Sequence, residues 1–296
     1  MLAERLQPGD TIGIICPSHI ADAAEYQEVV QTIESLGFRA KLGENIFKST
    51  YGYRASEQER ADDLNNMILD DEVKMILFGG GMGAAELPPL IDFESIRRRP
   101  KLICGFSDGT SILNPVYAHT GLVTYYGLGA RTFSKLSYAD YRQFNMHFVQ
   151  GNEAQGLAGN GKWIVLGSGR CEGILVGGCP PNFPQLLGGD YFPFDPQEKY
   201  ILFLEDHKKF SDLPQVSVHL SLIEQSKFMR NISGLLFGHY DKEVPPDLLR
   251  RLERFSQAHG IPVAYTDQFG HFTDCAVLRI GVRAALDTSA QTLAFQ

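Results

Sequence analysis

The chain has 296 residues, 44% of them hydrophobic and 21% charged, with a formal net charge of −8 and a pI near 5.5. An acidic balance of this kind excludes a general nucleic-acid binder, which would carry a basic stripe. At roughly 100–200 residues per domain, the length suggests two domains and ample core.

Near the N-terminus, Glu4 and Asp10 interrupt any secretory signal, and the apolar run TIGII is too short to be one. No stretch of about 20 apolar residues could span a bilayer. A cytosolic protein with no membrane partner is the expectation. TIGIIC reads as a buried strand ending at Pro17. From Ala23 to Leu36 the residues Tyr26, Val29, Val30, Ile33 and Leu36 share a helical face, and Gly37 stops the helix. Ser56 and Glu59 form a capping box for a helix through Met67. VKMILF (Val73 to Phe78) is a strand followed by GGGMG and a short helix-like segment around Ile91. KLICGF is a further strand, and Thr110 to His119 a helix. This alternation implies a mainly parallel open sheet with helices on both faces.

Between residues 150 and 170 the texture becomes rich in Gly and Asn. Strand candidates then follow in GILVGG, KYILFLE, ISGLLFGHY, IPVAYT and AVLRIGV, with helices near Val216 to Ile223 and Pro246 to His259. The division predicted is an α/β domain over 1–150, a linker over 151–168, and a smaller mixed α/β domain over 169–296. The five cysteines (16, 104, 171, 179 and 275) are odd in number and lack CxxC spacing, so they read as reduced, mostly buried thiols.

Gly105-Phe106-Ser107-Asp108-Gly109 fits G-x-S-x-G, with a strand before it and a helix after. A sharp turn there exposes the serine hydroxyl, and the next N–H, that of Asp108, points from the helix N-terminus. The competing reading is that Ser107 or Asp108 merely caps the helix. The loop Gly79-Gly80-Gly81-Met82-Gly83 could supply a second amide donor to an oxyanion, such donors being worth roughly 2.7–4 kcal/mol each. It matches neither the P-loop nor the dinucleotide fingerprint. A serine nucleophile also needs a base. His239 (LFGHY) and His271 (FGHF) both follow apparent strands, and Glu205, Asp206 and Asp267 compete to orient the imidazole. Spacing does not choose among them.

The segments LQPGDTIGIICPS, ERADDLNNMILDDEVKMILFGGGMGAAELPPLIDF, PKLICGFSDGTSILNPVY, GRCEGILVGG, YILFLED and IPVAYTDQFGH together resemble the LD-carboxypeptidase family of serine peptidases, which also contains the microcin C immunity peptidases. The resemblance covers most of the chain in order. It implies Ser107 as nucleophile in the first domain and Glu205 as acid and His271 as base in the second; the reading that joins them to the motif takes the amides of Asp108, Gly81 and Met82 as oxyanion donors and expects no metal or other cofactor. The resemblance further implies cytosolic release of D-alanine from a murein tetrapeptide by a homodimer. Two alternatives are an immunity-type peptidase cleaving a peptidyl nucleotide, for which Trp163 is poorly placed as an aromatic shelf, and a two-lobed binder of a small ligand without chemistry. Three positions depart from the family pattern: Gly79 and Met82 stand where Arg and Tyr are usual, and Cys179 where Asn is usual.

Overall fold

The computed structural model describes residues 1–151, 156, 157, 161–272 and 274–296. The chain divides into two compact units, Met1–Gly151 and Asn152–Gln296. Residues 152–155 and 158–160 of the expected linker lie outside the described residues.

The first unit carries strands β1 (Thr11–Ile15), β2 (Arg39–Leu42), β3 (Val73–Phe78), β4 (Leu102–Gly105) and β5 (Thr124–Tyr126). They lie in the order β5-β4-β3-β1-β2, and every pairing among them is parallel. β1 is buried at all five positions, as a strand covered on both faces requires. The helices are α1 (Ala23–Ser35), α2 (Glu57–Leu69), α3 (Phe93–Arg98), α4 (Thr110–Thr120) and α5 (Tyr138–Phe144). α1 starts at Asp22, whose carboxylate accepts the Glu25 N–H, and the chain leaves it through Gly37 at φ +87°. At α2 the capping box is complete: the Glu59 N–H donates to Ser56 Oγ at 3.2 Å, and the Ser56 N–H donates to the Glu59 carboxylate at 2.8 Å. β2 escapes a sequence reading because it alternates between exposed and half-buried residues, with no apolar run to mark it.

The second unit contains β6 (Trp163–Gly167), β7 (Arg170–Gly178), β8 (Tyr200–Leu204), β9 (Ile232–His239), β10 (Val263–Gly270), β11 (Leu278–Ile280), β12 (Arg283–Asp287) and β13 (Thr292–Phe295), with α6 (Phe183–Leu186), α7 (Leu213–Gln225) and α8 (Pro246–His259). Its sheet runs β13-β12-β7-β8-β9-β10-β6. The four central strands β7 to β10 are parallel, and β6, β12 and β13 join antiparallel at the margins, so the sheet is mixed. β6 falls inside the segment read as linker, and the sheet's margin claims it by pairing with β10. The architecture is the expected α/β fold, with a parallel sheet first and a mixed one second. Among the described residues no helix is long and apolar enough to cross a membrane.

Candidate active site

β4 ends at Gly105, and the chain turns through Phe106 into Ser107, which sits at φ +55°. A side chain other than glycine held in the left-handed region costs of order 1–3 kcal/mol and persists only where its surroundings hold it. Here the Ser107 N–H donates to the Tyr126 hydroxyl at 2.9 Å, and Thr110 Oγ1 donates to the Ser107 carbonyl at 2.6 Å. The two glycines of the motif answer to one residue. A Cβ at Gly105 would lie 2.7 Å from the Phe78 ring, and one at Gly109 would lie 3.2 Å from it. Phe78 at the end of β3 therefore dictates the small residues that flank the serine.

Asp108 does not cap the helix, since no side chain caps this turn or α4. Its buried carboxylate accepts the Ser18 hydroxyl and the Ala84 N–H, each at 2.6 Å. One carboxylate oxygen thus binds together the chain segments that leave β1, β3 and β4. In open parallel sheets these carboxyl ends are where ligands bind, and β1 and β3 flank the point where the strand order reverses.

The glycine loop after β3 is shaped by contact. Gly81 and Gly83 have φ +130° and +132°. A Cβ at Gly81 would collide with the His19 ring and one at Gly83 with the Arg54 guanidinium. Arg54 donates to the Met82 carbonyl at 3.0 Å, and buried Arg60 donates to the Gly83 and Pro17 carbonyls and to Glu86. Met82 itself is 76% exposed.

In the second unit, Glu205 follows β8 and His271 follows β10. Their side chains meet with His271 Nδ1 2.6 Å from Glu205 Oε2. Between them runs β9, whose Gly238 makes the approach possible, because a Cβ there would lie 2.8 Å from that of Glu205. The competitors are engaged otherwise. Asp267 accepts the Lys162 N–H at 2.8 Å, while the buried His239 Nδ1 has no hydrogen-bond partner among the described residues and its ring lies 3.6 Å from that of Phe272. Trp163 is buried, and its indole N–H donates to Gln268 at 3.0 Å. Burial pushes the thiols of Cys16 and Cys104 up to about 12, which leaves neither as a thiolate. Among the described residues, no group of three or more His, Cys, Asp and Glu could hold a metal ion.

Residues 12–127 match the LD-carboxypeptidase N-terminal domain and residues 172–286 the LD-carboxypeptidase C-terminal domain. The chain belongs to the LD-carboxypeptidase family. It is 31% identical to the probable murein peptide carboxypeptidase of Bacillus subtilis (strain 168), over 97% of this chain and 92% of that protein. It is 24% identical to the microcin C7 self-immunity protein MccF of Escherichia coli, over 97% and 93%. The crystal structure of an MccF-like protein from Bacillus anthracis str. Ames superimposes with a TM-score of 0.89 at 24% identity, covering 100% of this chain and 99% of that one, and so shares the fold. As a member of this family the protein is a serine-type carboxypeptidase, which sets aside the binder without chemistry.

Within this family member, several contributors have roles that the sequence did not assign. Tyr126, Ser18 and the Asp108 carboxylate brace the serine corner. Asp206, buried beside Glu205, holds the His207 N–H at 2.7 Å. Phe210, 51% exposed, brings its ring to 5.2 Å from that of His271. The family's arginine position is closed to any side chain here, since a Cβ at Gly79 would lie 2.3 Å from the Tyr26 hydroxyl and 2.6 Å from Cys16 Sγ. Burial alone would lower the His271 pKa, but the Glu205 charge, its hydrogen bond and the Asp206 charge together raise it.

Proposed function

We propose that this serine-type carboxypeptidase hydrolyses the L,D-peptide bond of a murein tetrapeptide and releases D-alanine through an acyl-enzyme on Ser107. In this reading the domain over 1–150 supplies the nucleophile and that over 169–296 the acid and base. His271 Nε2 accepts the Ser107 proton as Oγ attacks the scissile carbonyl. Glu205 holds Nδ1–H and stabilises the imidazolium that forms. The amides of Asp108, Gly81 and Met82 donate to the oxyanion. His271 then protonates the departing amine of D-alanine, and it next activates the water that frees the enzyme. The observation that carries the reading is the buried 2.6 Å contact of His271 Nδ1 with Glu205, which fixes the ring tautomer a serine nucleophile needs. Mass spectrometry of muropeptides incubated with the protein tests it. Tetrapeptide converted to tripeptide plus D-alanine is the expected result, and intact tetrapeptide overturns it. A cytosolic homodimer completes the reading, and analytical ultracentrifugation checks the dimer.

One feature favours a second reading, a peptidase that cleaves a peptidyl nucleotide. The Phe210 ring beside His271 offers an exposed face on which a base could stack. Cleavage of a peptidyl-nucleotide analogue in the same assay, with tetrapeptide untouched, selects it.

A further inference from the structure

Two consecutive carboxylates, Glu205 and Asp206, are both fully buried at the end of β8. Glu205 is occupied by His271. Asp206 Oδ1 accepts the His207 N–H, and its Oδ2 has no hydrogen-bond partner among the described residues. The turn that follows is tied at several points. The His207 carbonyl accepts the Phe210 N–H at 2.7 Å and the Ser211 N–H at 3.1 Å, and the Tyr240 hydroxyl donates to the Ser211 carbonyl at 2.6 Å. That turn carries Phe210, whose ring packs 5.2 Å from the His271 ring, and His207, whose ring stacks on Phe272.

We propose that Asp206 is a positioning residue for His271: it anchors the 206–211 turn that lays Phe210 against the imidazole, and its ionised form supplies that imidazole with a second negative charge beside Glu205. This rests on the reading of His271 as the base. The charged and titratable groups around the pair can be named. Glu205 and Asp206 act on His271, with the His207 ring 6.4 Å away. Glu205, His271, the Ser211 side chain and the His207 N–H act on Asp206, and Asp206 in turn acts on Tyr240. Lys208 is paired with Asp241 at 3.3 Å, and Lys209 lies 6.0 Å over the Phe210 ring. Burial, outweighing the opposing influence of Ser211 and the His207 N–H, pushes Asp206 up to about 6, and its charge is one of those that raise His271. The two titrations are therefore coupled, and an active-site base carries a second control on its protonation.

The test is NMR titration of histidine-labelled full-length protein. Wild-type His271 shows a second inflection as Asp206 ionises. Asp206→Asn abolishes that inflection and moves the His271 midpoint to lower pH. Ser211→Ala, which removes a side chain that favours the ionised form, moves the inflection to higher pH. In peptidase assays, the activity of Asp206→Asn at pH 6, taken relative to its own alkaline plateau, rises about threefold over wild type. His271 curves that superimpose in wild type and both variants overturn the proposal. Failure of the functional reading is distinct: a protein inert toward tetrapeptide loses that reading, while the NMR coupling stands or falls by itself.

Discussion

The serine corner of the first unit and the histidine–glutamate pair of the second are built by different physics. The corner is a steric construction. Ser107 is driven to φ +55°, Phe78 denies a side chain at Gly105, and a single carboxylate ties the neighbouring loops. The pair is an electrostatic construction, with a carboxylate and an imidazole taken out of water and held at 2.6 Å by glycines that let strands approach. The first kind of site fails by clash or relaxation. The second fails by loss of charge and carries its pH dependence with it.

The comparison yields measurable differences. Ser107→Ala lowers turnover by about 10⁴ to 10⁶ in steady-state assays, with the urea midpoint close to wild type. A rate within tenfold of wild type removes Ser107 from the chemistry. Glu205→Gln keeps the shape of the pair and removes its charge, with a loss in turnover of about 10⁴. It also alters stability against pH. His271 has a folded pKa raised above its unfolded value of 6.5, so the pair's contribution is full below that value and is lost as pH rises through the folded pKa. In Glu205→Gln this part of the decline above pH 6.5 disappears from urea unfolding curves, and an unchanged slope means that the charge of Glu205 does not stabilise the imidazolium. Gly105→Ala destabilises by about 1–3 kcal/mol at every pH, and Phe78→Leu in the same chain recovers part of the loss. Additive losses in the double variant would show that Phe78 is not the obstacle. His239→Ala, the smallest effect, leaves turnover within a few-fold of wild type. A collapse there, with His271→Ala active, exchanges the two histidines' roles.

Much of the fold was legible because its signals are local. The capping box at Ser56 and Glu59, the stop at Gly37 and the buried runs of β1, β3, β4 and β8 each declare themselves within a few residues. Five strands escaped: β2, β6, β12 and β13 lie at or next to the margins of their sheets and mix exposed with buried residues, and β5 is only three residues long, so pairing is what identifies them. The candidate site divides the same way. A strand, a helix and two glycines mark Ser107, whereas the roles of Tyr126, Ser18 and Asp206 come from contacts made across the fold. The choice between His239 and His271 needed the approach of Glu205 across β9, which no spacing in the chain encodes.

The tie from Ser18 to Asp108 spans 90 residues of chain. It closes only after the strands between have found their order, so the serine corner takes its final shape late in folding, long-range closure being the slow part of assembly. The expected consequence in rising denaturant is that turnover falls before the circular-dichroism signal of the helices, and following both in one urea series checks it; coincident loss of the two would show that the corner opens only with the whole fold.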